Sequence, residues 1–227
     1  MNVPRVKIAL FDFDGTLVSS HLWSGLLKYY LRKREKLFSI FKFLAGNLAL
    51  TPFWKIGLIS TKKYYHKWGK DMAQLMKGVE TERAKEIFDW MTDDYLLPTL
   101  KKETFEKLKK HQQEGYLTVL TSGSFEELIR VFSDRLKIDF SIGTELEVIE
   151  NKFSGKIIPP LCFAQGKAEK VKQFLTDNNL AINFEESFAY SDSIFDLPML
   201  ELVANPVVVE PDKELLKIAR ARGWQII

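Results

Sequence analysis

The sequence predicts an α/β chain: a parallel sheet with helices on both faces, interrupted after its first strand by a long helical insert. Three observations carry this. From Pro98 onward, short β-branched and apolar runs alternate with helical stretches, the pattern that builds parallel sheets through crossover helices. One further run of the same kind, Val6–Leu10, stands far from the others, near the N-terminus. Between them, Leu22 to Met91 shows apolar and aromatic residues at helical spacing and no convincing strand.

Composition agrees with this architecture. The 227 residues are 46% hydrophobic and 28% charged, enough for one large domain or for a core with a smaller domain beside it. A net charge of +3 is too small to point to nucleic acid. Cys162 is the single cysteine, so no internal disulfide can form, and a reducing, cytoplasmic setting is expected. Asp12 and Asp14 break the N-terminal apolar run, so no signal peptide is expected.

Taken in order, Val6–Leu10 reads as a buried strand. It runs into Phe11-Asp12-Phe13-Asp14-Gly15-Thr16. Aspartate is a poor strand former, so two carboxylates two residues apart at a strand's end mark a site, and Gly15 lets the chain turn at once. A calcium loop is excluded, because Thr16 stands at its fifth position, where it needs a carboxylate or amide, and Trp23 at its twelfth, where it needs a glutamate.

The insert holds Trp23, Trp54, Trp68 and Trp90 and is lopsided in charge. From Lys28 to Lys70, eleven lysines and arginines are answered only by Glu35. Such an excess is either a solvated face or an attraction for an anionic substrate or lipid surface. Leu37–Ser60 resembles a membrane span, but Lys42, Pro52 and Lys55 interrupt it, leaving less than the roughly 20 apolar residues a span needs. The expectation is a buried helical segment of a small subdomain, with peripheral contact at a membrane surface as the alternative.

After Pro98, Thr99–Gln113 reads as a helix ended by Gly115, and Tyr116–Leu120 as a strand leading into Thr121-Ser122-Gly123-Ser124. Phe125–Leu136 is a helix, with Ser124 as its N-cap and Glu126 and Glu127 in its first turn. Glu145–Ile157 reads as a hairpin turning at Asn151-Lys152. Gly166–Asn178 is a helix, Ser187–Tyr190 a strand leading into Asp192 and Asp196, Pro206–Glu210 a strand and Lys213–Ala221 a last helix. His66 and His111 have no partner in the pattern and are read as surface residues.

In parallel sheets the chemistry collects at the carboxyl ends of the strands. That places Asp12, Asp14, Ser122, Asp192 and Asp196 on one rim, with Lys167, near the start of a helix, in reach of it. Mg²⁺ takes one or two carboxylates together with phosphate oxygens and water; Asp12, Asp192 and the backbone carbonyl of Asp14 make such a set. With negative charge masked by the metal and Lys167, one carboxylate could attack phosphorus and the other serve as general acid and then base. Ser122 and the N–H groups around Gly123 suit phosphoryl oxygens.

Four stretches in this order, Asp12-Phe13-Asp14-Gly15-Thr16-Leu17, Thr121-Ser122-Gly123-Ser124, Gln165-Gly166-Lys167 and Tyr190-Ser191-Asp192-Ser193-Ile194-Phe195-Asp196, resemble the four motifs of the haloacid dehalogenase superfamily. The serine-glycine second motif and the helical insert after the first resemble its subfamily IB, the phosphoserine-phosphatase-like branch. The resemblance implies a Rossmann-like core of residues 1–18 and 97–227 with a helical cap of residues 19–96. It implies Asp12 as nucleophile, Asp14 as acid and base, and Ser122, Gly123 and Lys167 on the phosphoryl group. Mg²⁺ would sit on Asp12, Asp14 and Asp192, with Thr16 and Asp196 in support. The motifs depart from the branch in two places. His21 stands where phosphoserine phosphatases carry a substrate-reading glutamate, and Gly15 where they carry serine. His21 and Trp23 are therefore the expected specificity residues, and phosphoserine is not the expected substrate. The expected activity is Mg²⁺-dependent hydrolysis of a small soluble phosphomonoester through an aspartyl-phosphate. One alternative is a lipid phosphate at the membrane surface, since Leu26–Arg34 and the apolar run after it are similar to the cap of bacterial phosphatidylglycerophosphate phosphatases. Another, of a different class, is a phosphotransferase or a non-catalytic phosphate-binding relative.

Overall fold

In a computed structural model of the chain, which describes residues 5–227, a short β1 (Arg5–Val6) precedes β2 (Ile8–Asp12), whose five residues are all buried. Five helices follow, α1 (Leu22–Lys33), α2 (Leu37–Leu48), α3 (Thr51–Lys55), α4 (Thr61–Met76) and α5 (Thr81–Trp90), the last running through a π-helical turn at Met91–Leu96. The chain then continues as α6 (Lys102–Gln113), β3 (Leu117–Phe125), α7 (Glu126–Leu136), β4 (Phe140–Thr144), β5 (Leu146–Ile149) and β6 (Lys152–Ile157). It ends with α8 (Gln165–Asp177), β7 (Ala181–Ile182), β8 (Phe188–Ser191), α9 (Leu197–Leu200), β9 (Asn205–Val208), α10 (Lys213–Arg222) and β10 (Gln225–Ile226).

Six strands form one parallel sheet in the order β10-β9-β8-β2-β3-β4. Alternate residues of β2 serve opposite faces, as the two-residue period of a strand requires. Ile8 and Leu10 pack with Val171 of α8, Met199 of α9 and Leu215 of α10. Ala9 and Phe11 share the other cluster with Leu108 of α6 and Phe132 of α7. Covering both faces of the sheet is what makes a continuous apolar strand stable. Phe11 stacks on Tyr190 of β8 at 4.5 Å, and Asp12 pairs in register with Thr121 of β3. The acidic end of β2 therefore lies beside the ends of both its neighbours.

The helices between β2 and α6 extend that second cluster without a break: Leu26, Tyr30, Met76, Ile87, Phe88 and Met91 belong to it. The β5–β6 hairpin reaches back to them. Gly78 N–H donates to the Phe153 carbonyl (2.7 Å), Phe153 N–H to the Val79 carbonyl (2.9 Å), and the Gln74 amide to the Gly155 carbonyl (2.6 Å).

Several expectations need correction. The expected strand Val6–Leu10 is divided: Val6 belongs to β1, and the buried strand β2 begins at Ile8 and includes Asp12 itself. β3 does not stop at Leu120 but carries Thr121–Phe125 with it, so the helix after it begins at Glu126, with Phe125 in the N-cap position, and Ser124 caps nothing. The hairpin turns at Glu150 and Asn151, both at positive φ (48° and 61°), one residue earlier than expected. β4 was not expected: Phe140-Ser141-Ile142-Gly143-Thr144 looks broken by its glycine. Yet a Cβ at Gly143 would lie 2.8 Å from the Glu126 Cα, so the strand can pass under α7 only because that side chain is missing. His111 is buried, not on the surface. It completes the inward stripe of α6 with Thr104 and Leu108, and its Nε2 lies 2.7 Å from the Tyr190 hydroxyl.

The largest correction concerns Leu37–Ser60. Only one face of this stretch is buried. Ile40 and Phe43 of α2 pack inward, Phe43 against Trp68 (5.1 Å), and the Asn47 amide donates to Asp71 of α4 (3.0 Å). The opposite face is open, with Phe38 79%, Phe41 68%, Ile56 70% and Leu58 71% exposed. A helix apolar all round asks for neighbours all round, and here α4 covers one side alone.

Candidate active site

Asp12, the last residue of β2, is buried with both carboxylate oxygens engaged. Oδ1 accepts from Lys167 Nζ (2.6 Å) and Oδ2 from Thr16 Oγ1 (2.9 Å). Lys167 comes from the first turn of α8 and donates a second bond to Asp196 Oδ2 (2.7 Å), which also accepts from Ser191 Oγ (2.7 Å). The Thr16 hydroxyl stands 3.1 Å from Asp192 Oδ1 as well, so one hydroxyl proton faces two carboxylates.

This cluster is short of positive charge. Burial drives the Asp12 pKa well above the ordinary aspartate value, against the pull of Lys167 and with the push of Asp196 and Asp192. Burial likewise raises Asp192, against the Thr16 bond. For Lys167 burial acts downward, but Asp12 and Asp196 outweigh it and hold the ammonium charged. One cation thus serves three carboxylates, which favours a further cation near Asp12 and Asp192. Among the described residues no three His, Cys, Asp or Glu side chains converge as a metal-binding group. Mg²⁺ does not need three, since it binds through one or two carboxylates and keeps oxygen from water, phosphate or main chain for the rest. Asp12 and Asp192, joined through Thr16, suit it. Gly15 makes their approach feasible. It sits at φ +87°, and a Cβ there would lie 2.8 Å from Asp192 Cγ and nearer still to Oδ2.

Asp14 is held differently. Its Oδ1 accepts from the Leu22 N–H (3.1 Å) at the start of α1, and its Oδ2 from Ser124 Oγ (2.8 Å) and, at longer range, Ser122 Oγ (3.4 Å). Among the described residues no lysine or arginine pairs with it. His21 Nδ1 is 3.7 Å from Oδ1, and this carboxylate raises the imidazole pKa above its ordinary value, against partial burial.

Of the residues expected from sequence, Asp12, Asp14, His21, Trp23, Ser122, Gly123, Lys167, Asp192 and Asp196 line one cleft of about 410 Å³; Thr16 is buried beneath it. Sequence reasoning missed Ser124, which it gave to a helix cap although the residue belongs to the second motif. It also missed the aromatic wall opposite the carboxylates. There Trp54 stacks on Tyr64 (4.6 Å) and Tyr65 on Phe163 (4.6 Å), with Phe195 at 5.3 Å from Tyr65. The spacing Tyr64-Tyr65-Trp68 is a helix-face signal, but it cannot say that the face borders a cleft.

Comparison with known proteins agrees with this geometry. The family model for haloacid dehalogenase-like hydrolases matches residues 9–201. A histidinol-phosphatase from Neisseria meningitidis is 27% identical, over 97% of this chain and 98% of its own. A Bordetella pertussis protein of unknown function superposes with a TM-score of 0.83 at 24% identity, over 98% of both chains. A substrate-bound phosphoserine phosphatase does so with a TM-score of 0.64 at 18% identity, over 94% of this chain and 90% of that one. At these identities the solved structures bear on the fold alone: a Rossmann-like core with inserted helices.

Proposed function

The chain belongs to the haloacid dehalogenase-like hydrolase family and is one of its phosphatases, and from that premise we propose that it hydrolyses a phosphomonoester in a Mg²⁺-dependent reaction, with the phosphoryl group passing through Asp12. The observation that carries this reading is the unlike treatment of the two aspartates. Asp12 is fixed at both oxygens and paired with a buried ammonium, the setting of a carboxylate held in place for attack, with Lys167 working against the cost of its burial. Asp14 accepts from a main-chain N–H and serine hydroxyls at the edge of the open cleft, the placement of a group that exchanges a proton with a departing oxygen.

In this scheme an Asp12 oxygen bonds to phosphorus as the ester P–O bond breaks, and Asp14 gives its proton to the departing oxygen. Asp14 then takes a proton from a water molecule that attacks the acyl phosphate, freeing inorganic phosphate and Asp12. Lys167 bridges Asp12 and Asp196 and faces the phosphoryl group, with Ser122 and the Gly123 N–H beside it. Mg²⁺ on Asp12, Asp192 and the Asp14 main chain would neutralise charge on the phosphoryl oxygens. Residues 19–96 act as a cap over a core formed, among the described residues, by 5–18 and 97–227, excluding water from the site.

The cap side of the cleft offers His21, Trp23, Trp54, Tyr64, Tyr65 and Trp68 but no carboxylate or lysine. It suits a small soluble phosphomonoester whose alcohol presents an apolar, aromatic or cationic face to the rings, and not the charged amino acid moiety of phosphoserine. The named relative acts on histidinol phosphate, whose imidazole is such a face. An amphiphilic lipid phosphate is a second reading, favoured by Trp54 standing on the same helical stretch as the exposed Phe38, Phe41 and Ile56.

Phosphate release from p-nitrophenyl phosphate, with Mg²⁺ and then with EDTA, tests the core of the proposal. The wild type should turn over with Mg²⁺ and stop with EDTA, and Asp12→Asn should lose roughly a thousandfold or more. A wild-type rate in Asp12→Asn would refute the assignment.

A further inference from the structure

The open face of the α2–α3 stretch has a composition the phosphatase chemistry does not use. Phe38, Phe41, Ala45, Leu48, Pro52 and Ile56 recur at spacings of three and four, one stripe of a helix, and all are exposed. They are flanked by cations. From Arg32 to Lys70 ten lysines and arginines are met by Glu35 alone, and that glutamate is already paired with Arg83. Beside the stripe, between α2 and α4, lies a hollow of about 470 Å³ lined by Phe38 together with Lys36, Lys42, Lys67 and Lys77, where Asp71 is the one acidic residue.

We propose that this face is a docking surface for an anionic lipid bilayer, with the stripe seated at the headgroup–acyl boundary and the lysine-lined hollow taking anionic headgroups. An amphipathic helix with an apolar side and cationic margins lies in the plane of such a surface, held by buried apolar area and by attraction to anionic lipid. Two alternatives fit less well. A second copy of the chain would bring this cationic margin against its own image, and like charges oppose association. A transmembrane helix would have to release Ile40, Phe43 and Asn47 from α4, breaking the Asn47–Asp71 bond. The inference stands apart from the phosphatase reading, since vesicle binding requires no turnover.

Sedimentation with vesicles of phosphatidylglycerol and phosphatidylcholine, against phosphatidylcholine alone, tests it. The protein should pellet with the anionic vesicles, less so as salt rises, and should stay in solution with phosphatidylcholine alone. The triple variant Phe38→Ser, Phe41→Ser, Ile56→Ser should lose roughly tenfold or more in partitioning, and Lys42→Glu with Lys77→Glu, both exposed on the hollow, should weaken binding mainly at low salt. An unchanged circular dichroism spectrum and an unchanged rate on p-nitrophenyl phosphate would show that these variants fold. Failure of the wild type to pellet with anionic vesicles at low salt would overturn the proposal, as would equal binding by the triple variant. So would a wild-type dimer that the triple variant dissolves, without vesicle binding.

Discussion

Lys167→Met isolates the electrostatic centre of the site. The substitution keeps the length and apolar stem of the side chain but removes the ammonium that lies 2.6 Å from Asp12 and 2.7 Å from Asp196. Both carboxylates are nearly inaccessible to solvent, and stranding buried charge in this way costs about 3–5 kcal/mol. Protonation supplies an independent bound. At pH 7 the site can escape by placing one proton on a carboxyl whose unfolded pKa is about 3.9, at about 4 kcal/mol. The two figures agree, and at roughly 2–4 °C per kcal/mol for a chain of this size they predict a fall in Tm of roughly 6–20 °C. The sign of the pH dependence follows. The variant's carboxyl has a folded pKa above its unfolded one, so the deficit is full at neutral pH and shrinks by about 1.4 kcal/mol per pH unit as the medium approaches pH 4. Urea unfolding of wild type and variant, followed by circular dichroism from pH 7.5 to 4.5 in EDTA, measures this directly. A deficit under about 1 kcal/mol at pH 7, or one that does not change with pH, would refute the account of Lys167 as the cation that offsets the burial of these carboxylates.

Two other outcomes are expected. Asp14→Asn should slow substrates with poor leaving groups by roughly a hundredfold more than p-nitrophenyl phosphate, because only the former need a proton; a linear free-energy plot across aryl and alkyl phosphates measures this, and equal slowing would count against the acid role. Burial lowers the His111 pKa to about 4, with Glu114 acting upward and Lys110 and Lys107 downward. A depressed imidazole contributes stability that is full above its unfolded pKa near 6.5 and lost as pH falls toward 4, here about 3 kcal/mol. His111→Phe should therefore flatten the wild-type loss of stability between pH 6.5 and 4.5, and an unflattened curve would show that another group titrates there.

The parts legible in the sequence were those fixed by local pattern. Asp12 and Asp14 interrupt an apolar strand, and Lys167 and Asp192 open their own segments at places where a parallel sheet gathers its chemistry. Ser124 was misread because a serine before a helical stretch satisfies the capping rule and the motif equally well, and the choice turned on how far β3 runs. The Leu37–Ser60 stretch was misread for another reason. Its two apolar stripes are equal in sequence, and which of them is covered depends on where α4 lies. His111 was within reach, since Thr104, Leu108 and His111 share one helical face, but its partner Tyr190 is 79 residues away. The aromatic wall likewise joins Tyr65 to Phe163 and Phe195, a meeting no local spacing announces.

The tethers of Asp14 have a consequence for timing. One oxygen rests on Ser124, which belongs to the sheet, and the other on the Leu22 amide, one of the N–H groups that α1 leaves without a partner at its start. The carboxylate thus straddles the seam between the helical insert and the strands. A motion lifting the insert would undo the Leu22 contact and leave the Ser124 contact in place, so the side chain could turn about its remaining anchor. Under the proposed mechanism, the orientation of Asp14 would then record closure, both of its tethers being made only with the insert in the position seen here. A turnover would be gated by the same movement that admits the substrate.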